Sequence, residues 1–165
     1  MICESFAERI VQRYPKAEVI AGVATGAIAH GVLVAERLGL PFIYVRPAPK
    51  AHGLANQVEG EVHSGAKVAV VEDLISTGGS SLNAVEALRR VGCEVLGMTA
   101  IFTYGFPVAE ENFRKAGVPL DTLTNYHALI AIATEEGYVR PEESETLAAW
   151  RENPSAWGEE LKIKH

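Results

Sequence analysis

Short apolar runs alternate along this chain with segments that have helical periodicity. Continuous runs of β-branched and other apolar residues are typical of strands that are buried on both faces of a sheet. Four runs predict such strands: VIAG (19–22), PFIYV (41–45), KVAVV (67–71) and EVLGMTAIFTY (94–104). Two helix-like segments separate them: AIAHGVLVAERL (27–38) and SLNAVEALRRV (81–91). The alternation predicts an α/β domain, with a doubly wound parallel sheet and helices on both faces.

The rest of the chain continues the same pattern. An amphipathic helix is predicted at the N-terminus over 1–14, and a further strand is predicted at LDTLT (120–124). Additional helices are predicted over 108–116, 126–136 and 143–152. A glycine follows four of the helical segments, as expected for left-handed C-terminal caps: Gly39, Gly92, Gly117 and Gly137. We expect one domain over residues 1–165, a length that can bury a single core.

Charge and composition limit the classes of partner. The net charge is −6 among 165 residues, which argues against nucleic acid because nucleic-acid binders usually carry a basic face. No apolar run is long enough to cross a bilayer, so we expect no membrane partner. The two cysteines, Cys3 and Cys93, have no metal-binding spacing and suit a reducing compartment. We therefore expect a cytoplasmic protein.

The stretch VVEDLISTGGSS (70–81) places two acids and a hydroxyl- and glycine-rich turn directly after a buried strand. Backbone N–H groups and hydroxyls of Ser76–Gly79 would converge at the start of the next helix, where an anion such as phosphate is favoured. Glu72 and Asp73 could accept hydrogen bonds from a sugar diol. In doubly wound sheets, ligands bind beyond the carboxyl ends of the strands. The stretch therefore predicts a ribose 5-phosphate site rather than a capped polar turn.

Two more segments follow predicted strand ends. The region 46–65 contains two prolines and three glycines but no periodicity, and long segments of this kind are often functional. Its Arg46, Lys50 and His52 could surround a departing anion. In GVATGAIAHG (22–31), the amides of Thr25 and Gly26 could bind pyrophosphate, but an ordinary turn with Thr25 as helix N-cap is equally compatible with the sequence.

The stretch VVEDLISTGGSS resembles the ribose-phosphate signature of the type I phosphoribosyltransferases. The loop RPAPKAHG (46–53), the strand AIFTYGFP (100–107) and the segment TLTNYHAL (122–129) resemble the orotate phosphoribosyltransferase branch. The resemblance extends from about Glu18 to Trp157. It implies transfer of the 5-phosphoribosyl group from phosphoribosyl pyrophosphate to orotate. The products would be orotidine 5′-monophosphate and pyrophosphate, within UMP biosynthesis.

The resemblance also implies roles for individual residues. Glu72 and Asp73 would hold the ribose hydroxyls, and Ser76 would also approach orotate. A mobile loop over 46–61 would close over pyrophosphate in the neighbouring subunit of a homodimer. Magnesium would arrive bound to phosphoribosyl pyrophosphate, with no direct protein ligand. The residues expected to bind that substrate are Arg46, Lys50, His52, Glu72, Asp73, Leu74, Ile75, Ser76, Thr77, Gly78, Gly79 and Ser80, of which Arg46, Lys50, His52 and Asp73 are the expected catalytic residues.

The chain departs from the family pattern in two places. The N-terminal hood, a helix-and-strand segment that covers orotate in this family, is not found before the first predicted core strand. Either the true start of the protein lies further upstream, or the protein has lost the hood. Tyr104 stands near a position where some relatives carry an arginine that reaches orotate. We therefore expect binding of phosphoribosyl pyrophosphate with poor turnover of orotate. Surface left uncovered without the hood would favour association of subunits.

Other functions remain as alternatives. A purine phosphoribosyltransferase would share the ribose-phosphate signature but gives no reason for the 46–53 loop beside AIFTYGFP. A regulatory or catalytically impaired module that only senses phosphoribosyl pyrophosphate would need a basic face or an added recognition domain to act on nucleic acid. The sequence shows neither feature, so we favour the enzyme.

Overall fold

The computed structural model describes residues 1–48, 57–152 and 154 of the chain. These residues form six helices and six strands. The helices are α1 (Ile2–Arg13), α2 (Ala27–Leu38), α3 (Gly79–Arg90), α4 (Pro107–Ala116), α5 (Tyr126–Glu135) and α6 (Pro141–Glu152). The strands are β1 (Val19–Val23), β2 (Phe42–Val45), β3 (Val58–Glu59), β4 (Lys67–Ile75), β5 (Glu94–Thr103) and β6 (Leu120–Asn125).

The strands form one sheet with the order β3-β2-β1-β4-β5-β6. All neighbouring strands are parallel except β2 and β3, which are antiparallel. The chain order reverses between β1 and β4, the two central strands. Ligands of doubly wound sheets bind beyond the carboxyl ends of the strands at such a reversal. The topology therefore places a crevice between the residues that follow β1 and those at the end of β4.

Helices cover both faces of the sheet, as predicted. On one face, Phe6 and Ile10 of α1 and Val34 of α2 pack on Ile20 and Val71. On the other face, apolar residues of α3 and α4 pack on the opposite side chains of the same strands, among them Val85, Leu88, Phe113, Val68 and Val70. The central strands are buried on both sides, which explains their continuous apolar sequences.

Two details differ from the sequence-based expectation. Strand β4 continues to Ile75 instead of ending near Val71, and Glu72 pairs with Ala100 of β5 within the sheet. Both acids therefore belong to the last residues of the strand itself. The segment predicted to lack periodicity contains β3, which pairs Val58 and Glu59 with the end of β2. A two-residue strand is too short to produce a recognisable alternation.

The C-terminal helix α6 is attached at the carboxyl end of β5. The Trp150 ring packs edge-on against Tyr104, with ring centroids 5.6 Å apart, and also contacts Phe106 and Tyr126. Arg151 donates hydrogen bonds to the carbonyl oxygens of Tyr104 and Gly105, at 2.9 and 2.6 Å. These contacts pack the C-terminal helix onto the domain, whereas Trp157 lies outside the described residues.

No helix in the described part of the chain has both the length and the apolar character needed to cross a bilayer.

Candidate active site

A cavity of about 220 Å³ lies at the chain reversal between β1 and β4. Residues from three chain segments line it: Val23–Gly26 after β1, Arg46 and Pro47 after β2, and Glu72–Leu74 at the end of β4. The first turns of α3 add Ser80, Asn83 and Ala84. The cavity therefore brings both predicted acids together with the start of α3 and with Arg46.

Glu72 is 4% exposed and is hydrogen-bonded through both carboxylate oxygens. Oε1 accepts from the backbone N–H of Asp73 at 2.9 Å, and Oε2 accepts from Oγ of Ser81 at 2.8 Å. The pKa of Glu72 is raised to about 7, mainly because burial disfavours the charged carboxylate, and also because of its contact with the Asp73 side chain. Hydrogen bonds from Ser81 and from the Asp73 N–H act in the opposite direction. Near neutral pH, Glu72 can therefore both donate and accept a hydrogen bond.

Asp73 also lines the crevice and is less buried than Glu72. Its Oδ1 accepts from the backbone N–H of Leu74 at 2.8 Å. The carboxylate rests against Gly26, the residue before α2, so that the end of β4 and the start of α2 are in contact. Because strands alternate their side chains, Leu74 points the other way and is 41% exposed, whereas Ile75 is buried in the core. Leu74 and Ile75 therefore offer a ligand mainly backbone contacts.

The turn between β4 and α3 has the geometry of an anion site. Gly78 has φ of +81°, a left-handed conformation that favours glycine, and it serves as the N-cap of α3. Within the described residues, no side chain caps this helix. The first N–H groups of a helix have no partner inside the helix, and their dipoles favour an anion. Backbone donors of Thr77, Gly78, Gly79 and Ser80 lie at this helix end.

Helix α4 supports the turn from outside. The side-chain amide of Asn112 donates to the carbonyl oxygen of Thr77 at 3.0 Å. The Phe113 ring packs on Gly78, where an added Cβ would lie 2.7 Å from the ring. Neither contact was predicted from the sequence, because both depend on how α4 packs against α3.

Arg46 directly follows β2 and lines the cavity. Its backbone N–H donates to the carbonyl oxygen of Gln57 at 2.8 Å, and its carbonyl oxygen accepts from the Gln57 side chain. Its Nη1 lies 3.5 Å from Oε1 of Glu59, which is longer than a good hydrogen bond. Lys50, His52 and Gly53 lie outside the described residues.

The start of α2 settles which residue caps that helix. Gly26 rather than Thr25 is the N-cap, and among the described residues no side chain caps α2. Both residues line the cavity, as expected for candidate pyrophosphate contacts. His30 lies within α2 and is half-buried.

Several lining residues were not predicted. Asn83 lies one helical turn after Ser80 on α3, and this spacing of polar residues was the available signal. No sequence pattern indicated that Pro47 and Ala84 would line the cavity. The residues that line the cavity do not include five predicted ones: Ile75, Ser76, Thr77, Gly78 and Gly79. Tyr104 stacks on Phe106, with ring centroids 5.3 Å apart. It therefore belongs to the group of aromatic rings that packs against Trp150 of α6.

A larger cavity of about 350 Å³ lies beside α4 and is lined by residues of β5, α4 and β6, including Thr103, Phe113 and Thr122. It has no pair of acids, no helix N-terminus of α2 or α3, and it is away from the chain reversal. The smaller crevice, with convergent polar groups at the reversal, is the better candidate site.

Residues 1–113 match the phosphoribosyl transferase domain family. The orotate phosphoribosyltransferase of Bacteroides thetaiotaomicron is 61% identical over 148 residues, which cover 90% of this chain and 70% of that protein. The enzyme of the same name from Streptococcus pneumoniae is 51% identical, over 96% of this chain and 76% of that protein.

The fold agrees with a solved structure of the same family. The crystal structure of orotate phosphoribosyltransferase from Aeropyrum pernix has a TM-score of 0.70 and 31% identity, and the match covers 84% of this chain and 76% of that chain. Because the relatives are this similar over most of both chains, the chain belongs to the orotate phosphoribosyltransferases, within the phosphoribosyl transferase domain family.

Proposed function

We propose that the chain transfers the 5-phosphoribosyl group from phosphoribosyl pyrophosphate to orotate, giving orotidine 5′-monophosphate and pyrophosphate in UMP biosynthesis. In this glycosyl transfer, the bond between C1′ of ribose and the pyrophosphate oxygen breaks, and a bond from C1′ to a ring nitrogen of orotate forms. The observation that carries the proposal is the meeting, in one crevice, of two neighbouring acids with a helix N-terminus that no described side chain caps.

The crevice suits the phosphoribosyl half of the substrate. The carboxylates of Glu72 and Asp73 accept hydrogen bonds from the ribose hydroxyls at one end. Backbone N–H groups of residues 74–80, with the hydroxyls of Ser76, Thr77 and Ser80, bind the 5′-phosphate at the other end. The left-handed Gly78 turns these amides towards the phosphate, and the positive end of the α3 dipole favours its charge.

Cations stabilise the leaving group. Negative charge develops on pyrophosphate as its bond to C1′ breaks, and Arg46, Lys50 and His52 neutralise this charge. The amides of Thr25 and Gly26 contribute from the opposite side of the crevice. The long ion pair between Arg46 and Glu59 leaves the guanidinium available to exchange Glu59 for a phosphate oxygen.

Magnesium is expected to bind with the substrate. The ion commonly takes one or two carboxylates together with substrate phosphates and keeps several waters. We expect the ion to be held mainly by pyrophosphate oxygens. Magnesium on the pyrophosphate would reduce the charge that the protein must neutralise.

The remaining parts of the proposal concern orotate and assembly. Ser76 approaches orotate. The chain forms a homodimer in which the segment 46–61 serves the neighbouring site, and it acts in the cytoplasm. Relatives named as orotate phosphoribosyltransferases favour the enzyme over a module that only senses phosphoribosyl pyrophosphate.

Orotate-dependent formation of orotidine 5′-monophosphate tests the proposal. The purified chain should release pyrophosphate from phosphoribosyl pyrophosphate only when both orotate and magnesium are present. Adenine in place of orotate serves as the control base. Release with adenine but not with orotate would contradict the assignment of the base, and absence of release with either would contradict the activity.

A further inference from the structure

Gly26 occupies a position where its backbone does not require glycine. Its φ and ψ are −60° and −37°, which every amino acid adopts readily. It is also exposed, so burial does not demand a small residue. Any structural reason for a glycine at this position must therefore come from a neighbouring residue.

The constraint is the carboxylate of Asp73. A Cβ built on Gly26 would lie 1.9 Å from Oδ2 of Asp73 and 2.5 Å from its Cγ. Real Cβ atoms do not approach other heavy atoms this closely. No atom of another residue is among the three nearest atoms to that position. The Asp73 carboxylate therefore occupies the space in which a side chain of residue 26 would lie.

Hydrogen bonds hold the backbone of Asp73 and one of its carboxylate oxygens. Its Oδ1 is already held by the N–H of Leu74 at 2.8 Å, and its own N–H is held by Glu72. Glu72 is in turn fixed by Ser81 of α3. A methyl group on Gly26 would push Oδ2 towards the cavity while these bonds hold the backbone in place. The carboxylate would then tilt away from its present orientation at the cavity wall.

We propose that Gly26 is a positioning residue for Asp73: its lack of a side chain lets the carboxylate lie against the start of α2 in the orientation that receives the ribose hydroxyls. The inference rests on the proposed function, since it assigns Gly26 a role in holding the sugar of phosphoribosyl pyrophosphate. This role is distinct from the proposed contact between the Gly26 amide and pyrophosphate. A methyl group at residue 26 would affect binding indirectly, by displacing the Asp73 carboxylate.

A double-mutant cycle tests the inference. Binding of phosphoribosyl pyrophosphate with magnesium is measured by calorimetry for the native chain, Gly26→Ala, Asp73→Ala and the double variant. Gly26→Ala should weaken binding about tenfold, as expected when a charged hydrogen-bond acceptor is displaced from its donor. In the double variant, the methyl group meets no carboxylate, so binding should equal that of Asp73→Ala alone. Ala29→Ser, exposed in the first turn of α2, is the control and should bind like the native chain.

The outcomes separate the inference from the function. If Asp73→Ala weakens binding but Gly26→Ala does not, the inference is wrong and the proposed ribose site stands. If the two losses add fully, Gly26 acts directly on the ligand and the inference is also wrong. If Asp73→Ala binds normally, both the ribose site and the inference fail.

Thermal unfolding provides an independent measurement. Gly26→Ala should lower the unfolding temperature, and Asp73→Ala should restore it in the double variant because the crowded oxygen is gone. This readout still applies if Gly26→Ala alone does not fold. In that case, recovery of a folded double variant supports the contact, and failure to recover contradicts it.

Discussion

Ser81 of α3 donates a 2.8 Å hydrogen bond to Oε2 of Glu72 on β4, and both side chains are buried. The bond joins the strand that carries the acids to the helix whose N-terminus forms the anion site. It also leaves a carboxyl group inside the protein at the edge of a binding crevice. The pH dependence and the rigidity of the site both follow from this contact.

Replacing Glu72 with glutamine should remove a pH-dependent loss of stability. The pKa of Glu72 is about 7 in the folded chain, against 4.5 for a free glutamate. The folded state therefore holds this proton more tightly, and its stability falls as the pH rises from about 4.5 to about 7. This fall amounts to at most about 3 kcal/mol. Urea unfolding of the native chain and Glu72→Gln at several pH values measures it.

Between pH 5 and pH 8, the native chain should lose more stability than Glu72→Gln does. Other titrating groups contribute equally to both proteins, so the difference reports Glu72. Parallel stability curves would show that burial does not raise the pKa of this carboxyl group.

Ser81→Ala should destabilise the chain by about 1–2 kcal/mol, because Oε2 of Glu72 would lose its buried donor. It should also raise the pKa of Glu72 further, since the Ser81 hydrogen bond favours the charged form. Chemical unfolding measures the first effect. Ser5→Ala, which removes an exposed hydroxyl from α1, is the matched control and should change stability little. Equal effects of the two variants would contradict a special role for Ser81.

Lys50→Ala should slow transfer more than it weakens substrate binding. A cation that meets charge as it develops on pyrophosphate stabilises the transition state more than the bound substrate. We expect kcat to fall at least tenfold, with KM for phosphoribosyl pyrophosphate changing less than about threefold. Steady-state kinetics with orotate provide the measurement.

Lys16→Ala is the control for Lys50, because Lys16 is exposed before β1, at the opposite end of the sheet from the crevice. Its kinetics should match those of the native chain. A rise in KM for Lys50→Ala with kcat unchanged would assign Lys50 to ground-state binding instead.

Arg151→Ala should loosen α6. The guanidinium is 19% exposed and bonds two carbonyl oxygens at the end of β5. Its loss should cost about 2 kcal/mol, as expected for charged hydrogen bonds that leave acceptors partly buried. Arg140→Ala removes an exposed ion pair with Glu143 and should cost less than about 0.5 kcal/mol. Thermal unfolding and limited proteolysis compare the two variants. Equal loss of stability in both would contradict the role of Arg151 in holding α6.

The fold followed from local signals in the sequence. The predicted bounds of α2 coincide with the observed Ala27–Leu38, because an apolar helical face ends at Gly39, whose left-handed φ is 65°. The position of the two acids in the crevice was also predictable, since Glu72 and Asp73 directly follow the apolar run of a central strand. The predicted C-terminal end of β4, near Val71, was too early because the apolar run stops before Glu72. In the structure, this polar residue remains within the sheet because Ser81 satisfies it.

Contacts between distant segments could not be predicted. The fit of Asp73 against Gly26 depends on the position of α2 relative to β4, and the support of Thr77 by Asn112 depends on the packing of α4. Nothing in the local sequence of Gly26 indicates a need for a small residue, since its backbone angles are ordinary. Such requirements emerge only when three-dimensional neighbours are known.

The most direct measurement is a crystal structure of the chain with phosphoribosyl pyrophosphate and magnesium. Our account predicts that the 5′-phosphate lies about 3 Å from backbone nitrogens of residues 77–80 and that the ribose hydroxyls contact Asp73. Density for the ligand in the 350 Å³ cavity beside α4, with the crevice between β1 and β4 vacant, would contradict it.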